Sequence, residues 1–164
     1  MDGSLRIRPA EHSDVELIFS LILALAEYER ANGRVVGTQA LLAAALFGDD
    51  PVAESVIAEV AGEPIGFALW FRTFSTWLCL PGIWLEDLYV VPAHRRAGVG
   101  RALLAHVARV AIDRDYGRVE WSALDWNTPA LEFYAGLGAE RLEEWHVHRL
   151  EGVALARVAA GKGE

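Results

Sequence analysis

Glu86-Asp87-Leu88-Tyr89-Val90-Val91-Pro92-Ala93-His94-Arg95-Arg96-Ala97-Gly98-Val99-Gly100 is the stretch whose reading decides the fold. On its near side, Ile83-Trp84-Leu85 and Leu88-Tyr89-Val90-Val91 supply the β-branched and aromatic run of a buried strand, and Pro92 stops it. On its far side a helix is predicted from about Gly98 to Tyr116, because Leu103, Leu104, Val107, Val110, Ala111 and Ile112 fall at helical spacing. Between them, glycines remove Cβ atoms where backbone N–H groups must come close to something. A helix N-terminus behind such a turn attracts anions, since its first N–H groups lack intrahelical partners and the dipole adds positive potential. Arg95, Arg96 and Arg101 reinforce that sign. The residues alone predict a strand, a phosphate-binding loop and a helix.

Two common phosphate loops do not fit. A P-loop needs Gly-Lys-Ser/Thr, which is absent, and the dinucleotide fingerprint needs a small residue where Leu103 stands. Arg95-Arg96-Ala97-Gly98-Val99-Gly100 instead resembles the acetyl-CoA pyrophosphate loop of the GNAT superfamily of N-acetyltransferases, Gln/Arg-x-x-Gly-x-Gly/Ala. Downstream, Asp125-Trp126-Asn127-Thr128-Pro129-Ala130-Leu131-Glu132-Phe133-Tyr134-Ala135-Gly136-Leu137-Gly138-Ala139 is similar to the second motif of that superfamily. Order and spacing agree, so the resemblance covers essentially the whole chain. It implies an α/β fold, the GNAT acyl-CoA N-acyltransferase fold, with a mixed central sheet flanked by helices.

The 164 residues suit one domain, and no linker, repeat or low-complexity tract divides them, so residues 1–164 are expected to form a single domain. Although 53% of residues are hydrophobic, no uncharged run approaches the ~20 a membrane span needs. No secretion signal is visible, and the single Cys79 excludes an internal disulfide framework. A cytoplasmic protein with a buried, inert thiol is expected. The net charge of −8 argues against nucleic acid as a partner and is compatible with a cationic substrate.

Along the chain, Leu5–Arg8 alternates as a strand. Ser13 and Glu16 read as a capping box opening a helix that ends near Arg30, and Thr38 caps a second helix through Leu46. Strands are expected over Ser55–Ala61, Ile65–Phe74 and Arg118–Leu124, with a loop from Ser75 to Gly82. Thr128 reads as the N-cap of a helix that stops at Gly138. Strands around 139–142 and 145–150 and a short Ala-rich helix complete the expectation.

Acyl transfer to an amine must remove a proton from a group with pKa near ~10.4, stabilise a developing oxyanion and protonate a departing thiolate. Glu86 and Asp87 are two carboxylates in an otherwise apolar strand, sent to opposite faces by alternation, and either is a candidate base. The rest is implied by the resemblance. Backbone groups of Leu88, Tyr89 and Val90 would contact the acetyl group of acetyl-CoA, and Arg95, Arg96, Ala97, Gly98, Val99, Gly100 and Arg101 its pyrophosphate. Asn127, Thr128, Pro129 and Ala130 would meet the pantetheine arm, and Tyr134 would donate to the CoA sulfur.

Leu85-Glu86-Asp87-Leu88-Tyr89-Val90, Ala24-Leu25-Ala26-Glu27-Tyr28-Glu29 and Trp126-Asn127-x-Pro129 look like the diamine (spermidine/spermine) acetyltransferase branch. That likeness implies Glu86 as base and Tyr28, Glu29, Trp77, Asp87, Glu143 and Trp145 as residues of an acidic groove for a polyamine or thialysine-type amine. Ser75 stands where polyamine enzymes of the branch carry aspartate, so one cation anchor is missing. A homodimer is implied, and no metal is expected: His146 and His148 share a strand face without a third ligand. Two alternatives remain: a GNAT enzyme acting on an amino acid, aminoglycoside or protein N-terminus, and a non-catalytic acyl-CoA-binding module.

Overall fold

The structure is a computed structural model that describes residues 3–161. These residues form two compact units, one through Leu124 and one from Asp125 onward.

The first unit is built on a five-stranded sheet in the order β1-β2-β3-β4-β5: Leu5–Pro9, Glu54–Val60, Glu63–Ser75, Leu80–Val90 and Val119–Glu120. The first four strands run antiparallel to their neighbours, whereas β5 pairs parallel with β4 at Ile83 and Trp84. Two helices, α1 (Val15–Tyr28) and α2 (Gln39–Phe47), precede β2, and α3 (Val99–Asp113) supplies the crossover from β4 to β5. Ile18 and Leu21 of α1 and Leu46 of α2 pack on Ile57, Phe67, Leu69 and Tyr89. Leu103 of α3 lies behind Gly66, whose neighbours Ile65 and Phe67 are both fully buried. A Cβ on Gly66 would come within 2.6 Å of the Tyr89 carbonyl, so only glycine lets β3 lie this close to β4.

The helix starts follow side-chain chemistry, with one correction. Thr38 caps α2, its Oγ1 accepting from Leu41 N at 3.2 Å. The α1 entrance does not use Ser13 and Glu16. Instead a 3-10 turn at His12–Asp14 precedes the helix, and Asp14 accepts from Glu11 N at 2.8 Å. Arg8 on β1 accounts for the shift: its guanidinium donates to both Asp14 oxygens at 2.6 and 2.8 Å and to Glu59 of β2 at 2.6 Å. A carboxylate held in a fork by arginine outcompetes a serine hydroxyl one residue away.

Ser75 to Gly82 is not a loop. β3 and β4 continue as a ladder to Ser75 and Leu80, leaving only 76–79 as the turn. Cys79 lies in that turn at φ +52° and is exposed, so the expected buried thiol is corrected. The strand expected over Arg118–Leu124 shrinks to Val119–Glu120.

The second unit contains α4 (Thr128–Ala135) and α5 (Gly152–Ala159). Asn127, not Thr128, caps α4, its Oδ1 accepting from Ala130 N at 3.4 Å. Gly138 ends the following turn at φ +83°, with Ala139 N donating to Tyr134 O and Gly138 N to Ala135 O. This is the paired bonding expected of a left-handed residue after a helix. The strands expected at 139–142 and 145–150 are absent: these residues are irregular and mostly exposed. A strand exists only as part of a ladder, and no described strand pairs with them.

Candidate active site

The site begins with an unpaired strand edge. Val91 N donates to Ile65 O at 2.9 Å, so Val91 faces β3. Backbone groups alternate sides along a strand, so Tyr89 also faces β3 while Leu88 and Val90 turn to the opposite edge. Among the described residues, β5 covers that edge only at Ile83 and Trp84. Of the three residues expected to offer backbone groups, Leu88 and Val90 present N–H donors there, and Tyr89 presents its ring to the core.

The chain leaves this edge through a 3-10 turn at Pro92–His94 and enters α3 by a left-handed backbone, Arg96 at φ +64° and Gly98 at φ +83°. Gly98 is the N-cap of α3 and offers no side chain to its first N–H groups, whereas Thr38 and Asn127 cap α2 and α4. Among the described residues, a Cβ on Gly98 would meet no atom within 4 Å beyond its own chain neighbours. The loop therefore borders open space and points uncapped donors toward it, which suits an anionic group. Arg96, Ala97 and Gly98 are exposed, Gly100 is half-buried, and Val99 is buried as the first anchor of α3.

Arg95 behaves differently from its neighbours. Its Nε donates to Val90 O at 2.9 Å, and its guanidinium lies 4.4 Å from the Tyr28 ring centroid and 5.5 Å from that of Tyr89. From sequence this side chain is legible only as a charge; no residue pattern signals a turn back onto the strand.

The two carboxylates part company at a slip in the β3–β4 register, which leaves Glu86 between the paired Leu85 and Asp87. Glu86 is exposed and accepts from Trp84 Nε1 at 2.9 Å, two residues away. Asp87 lies opposite Leu69 in the ladder, on the face where Phe67 and Tyr89 pack under α1. Burial first, then the charges of Glu86 and Glu29, push its carboxyl up to about 7. Burial also raises Glu29, the C-cap of α1. Asp87, Glu29, Tyr28, Tyr89 and Arg95 are thus brought together, within reach of the open edge. Period-two spacing from the buried Tyr89 was the signal that could have singled out Asp87 over Glu86; Leu85 pairs with Trp70 across a register slip and does not share that face.

Trp77 is not part of this cluster. It is 82% exposed in the β3–β4 turn, and the seven steps from Leu80 to Asp87 span roughly 23 Å of strand. Ser75, beside it, is buried, its Oγ accepting from Leu78 N at 3.3 Å. In the second unit, Tyr134 sits half-buried in the last turn of α4, its ring 5.2 Å from that of Phe133. Thr128, Pro129 and Ala130 form the first turn of α4. Glu143 and Trp145 are exposed, with Glu143 3.7 Å from Arg141 Nε. Among the described residues no three His, Cys, Asp or Glu side chains gather as a metal site, and no helix is long and apolar enough to cross a membrane.

Comparison with known proteins agrees with this geometry. The sequence pattern of the acetyltransferase (GNAT) family matches residues 23–139. A thialysine N-epsilon-acetyltransferase of Bos taurus is 38% identical over 95% of this chain and 97% of its own length. An L-ornithine N5-acetyltransferase of Arabidopsis thaliana is 29% identical over 93% of this chain and 87% of its own. Among solved structures, an integron cassette protein of V. cholerae superposes with a TM-score of 0.78 at 25% identity, covering 95% of this chain and 98% of its own. Strand edge, glycine-capped helix and family pattern coincide in one segment: the chain belongs to the acetyltransferase (GNAT) family.

Proposed function

We propose that the protein transfers the acetyl group of acetyl-CoA to the terminal primary amine of a small diamine-like or thialysine-like substrate, as one acetyltransferase domain. The observation that carries the reading is the open β4 edge running directly into an uncapped helix N-terminus, with the half-buried carboxylate of Asp87 one residue before the first of that edge's donors. Bound acetyl-CoA would supply an activated thioester and a thiolate leaving group. The N–H groups of Leu88 and Val90 stabilise charge on the carbonyl oxygen. Backbone donors from Arg96 to Arg101 take the pyrophosphate, where the missing Cβ of Gly98 leaves room. Asn127 to Ala130 meet the pantetheine arm, and Tyr134 donates its phenolic proton to the departing sulfur. Glu86, solvent-exposed, removes the amine's proton through water. Asp87 and Glu29 hold the amine's positive charge beside Tyr28, with Glu143 and Trp145 completing the acceptor side.

The acceptor is a basic amino acid or short diamine in preference to a long polyamine. Ser75 supports this: its hydroxyl is buried in the turn and engaged with Leu78 N, so it offers no charge to a distal ammonium. The two relatives named for thialysine and L-ornithine point the same way, because both are basic amino acids with a terminal primary amine. The reading includes a cytoplasmic homodimer. Leu142, Val147, Leu150, Leu155 and Val158 are exposed apolar side chains that a second copy could cover.

Thiol release from acetyl-CoA, measured with thialysine, ornithine, short diamines, spermidine and spermine, tests the proposal. The expected order of kcat/KM places the amino acids and short diamines above spermine. Tight CoA binding without thiol release on any amine would replace this reading with a non-catalytic acyl-CoA-binding module.

A further inference from the structure

The geometry points to Arg95 as a positioning residue that clasps the acyl-donor strand edge to the acceptor side of the site, rather than as a ligand of the pyrophosphate. The inference rests on the proposed role of Tyr28 beside the amine. Val90 ends β4 on the edge that has no ladder partner, so its carbonyl needs another donor. Arg95 Nε fills that need at 2.9 Å, from five residues downstream. With its acceptor engaged, the Val90 residue is held with its N–H on the same open side, where the acetyl oxygen would be received. The remainder of the guanidinium lies over Tyr28, the last residue of α1, at 4.4 Å, and beside Tyr89 of β4 at 5.5 Å.

One side chain therefore touches the donor edge, the core strand and the helix end that carries Glu29. The planar guanidinium suits this work, because it stacks on an aromatic face and donates in its own plane at once. A lysine ammonium is a point charge and cannot do both. Arg96 and Arg101, which make no such return contact, remain the cationic side chains of the loop.

Arg95→Lys separates the two roles. If Arg95 acts as a clasp, the variant raises the amine KM about 2- to 30-fold, the range of one lost cation–π contact. Its calorimetric Kd for acetyl-CoA then changes less than the amine KM does. Tyr28→Leu, made from the other side, should raise the amine KM comparably. The double variant Arg95→Lys/Tyr28→Leu should be no worse than the poorer single variant, because both remove the same contact. Tyr28→Phe keeps the ring and should keep the coupling. Additive effects of the two substitutions, or weakened acetyl-CoA binding with an unchanged amine KM, would overturn the clasp. So would a lowered thermal midpoint with both constants unchanged, which marks a purely structural role.

Failure of the catalytic reading is distinguishable. If wild type transfers acetyl to no amine, the same double-mutant cycle read by denaturant unfolding still reports coupling between Arg95 and Tyr28. Coupling there upholds the contact, and its absence overturns it.

Discussion

Asp87 carries the one carboxylate raised to about 7, and two predictions follow from its sign. In an unfolded chain an Asp titrates near 3.9, so between about pH 4 and 7 the folded state binds the extra proton. Stability therefore falls as pH rises through that window; the penalty is absent below it and complete above about pH 7. Asp87→Asn should raise the unfolding free energy from urea titration at pH 8, by up to about 4 kcal/mol, and change it little at pH 4. An equal gain at both pH values would show that charge is not the cause. A bound ammonium reverses the local balance by favouring the ionised form. Amine binding near pH 6.5 should release protons, seen as a buffer-dependent calorimetric enthalpy, and Asp87→Asn should abolish that release. The proposed proton donor has its own test. Tyr134→Phe should leave acetyl-CoA affinity nearly intact and lower kcat by ~10²–10⁴-fold; unchanged turnover would make Tyr134 a packing residue beside Phe133.

Among elements, the ends of helices and strands are where physical strain concentrates. α3 stops with Asp115 at φ +55°, Tyr116 N donating to Ala111 O and Asp115 N to Ile112 O. That position favours glycine, and an acid at a helix C-terminus also opposes the dipole. Asp115→Gly should stabilise the protein by about 1 kcal/mol, raising Tm by roughly 2–4 °C in a chain of this size. At the other end of the sheet, Arg8 binds Asp14 and Glu59 with both partners mostly buried. The Arg8 contact holds Asp14 below the usual carboxylate range, so this contribution is present above the unfolded pKa and is lost as pH falls through the folded one. Arg8→Met should cost about 2–4 kcal/mol at neutral pH by stranding two carboxylates. The exposed Arg114–Glu54 pair, of similar length, should cost at most about 1 kcal/mol when broken. Burial, not distance, separates the two.

The same elements show what the sequence could and could not reveal. The β4–loop–α3 unit was legible because apolar period, Pro92 and Gly98 all agree locally. The α1 entrance was not, since it is decided by Arg8, which reaches Asp14 from a different element. The turn at 76–79 reads as a longer loop for a related reason: Ser75 and Gly82 look like loop residues until the ladder pairs them with Leu80 and Thr73. Residues 139–150 carry strand-like composition, but composition alone supplies no partner edge.

At the scale of the whole molecule, the net charge of −8 acts on the two proposed substrates with opposite signs. A basic amino acid or diamine is a cation, whereas acetyl-CoA is a polyanion that must approach an acidic protein to reach Arg96 and Arg101. The Debye length decides which charges count. At 0.01 M salt it is about 30 Å, so an approaching ligand feels the whole chain; at 0.15 M it is about 8 Å, and only the nearest groups matter. Raising salt across that range should lower kcat/KM for a dicationic amine by about 3- to 10-fold, and for a singly charged one by less. The same change should leave kcat/KM for acetyl-CoA level or raise it, because screening removes the long-range repulsion while the loop arginines and the α3 N-terminus still act at contact. Initial rates at fixed saturating concentration of the other substrate, taken at four or five salt concentrations, give both slopes. A decline for acetyl-CoA as steep as for the amine would mean that the loop's positive charge dominates at every range. A flat response for the dicationic amine would remove electrostatic attraction from the account of how Asp87 and Glu29 receive it.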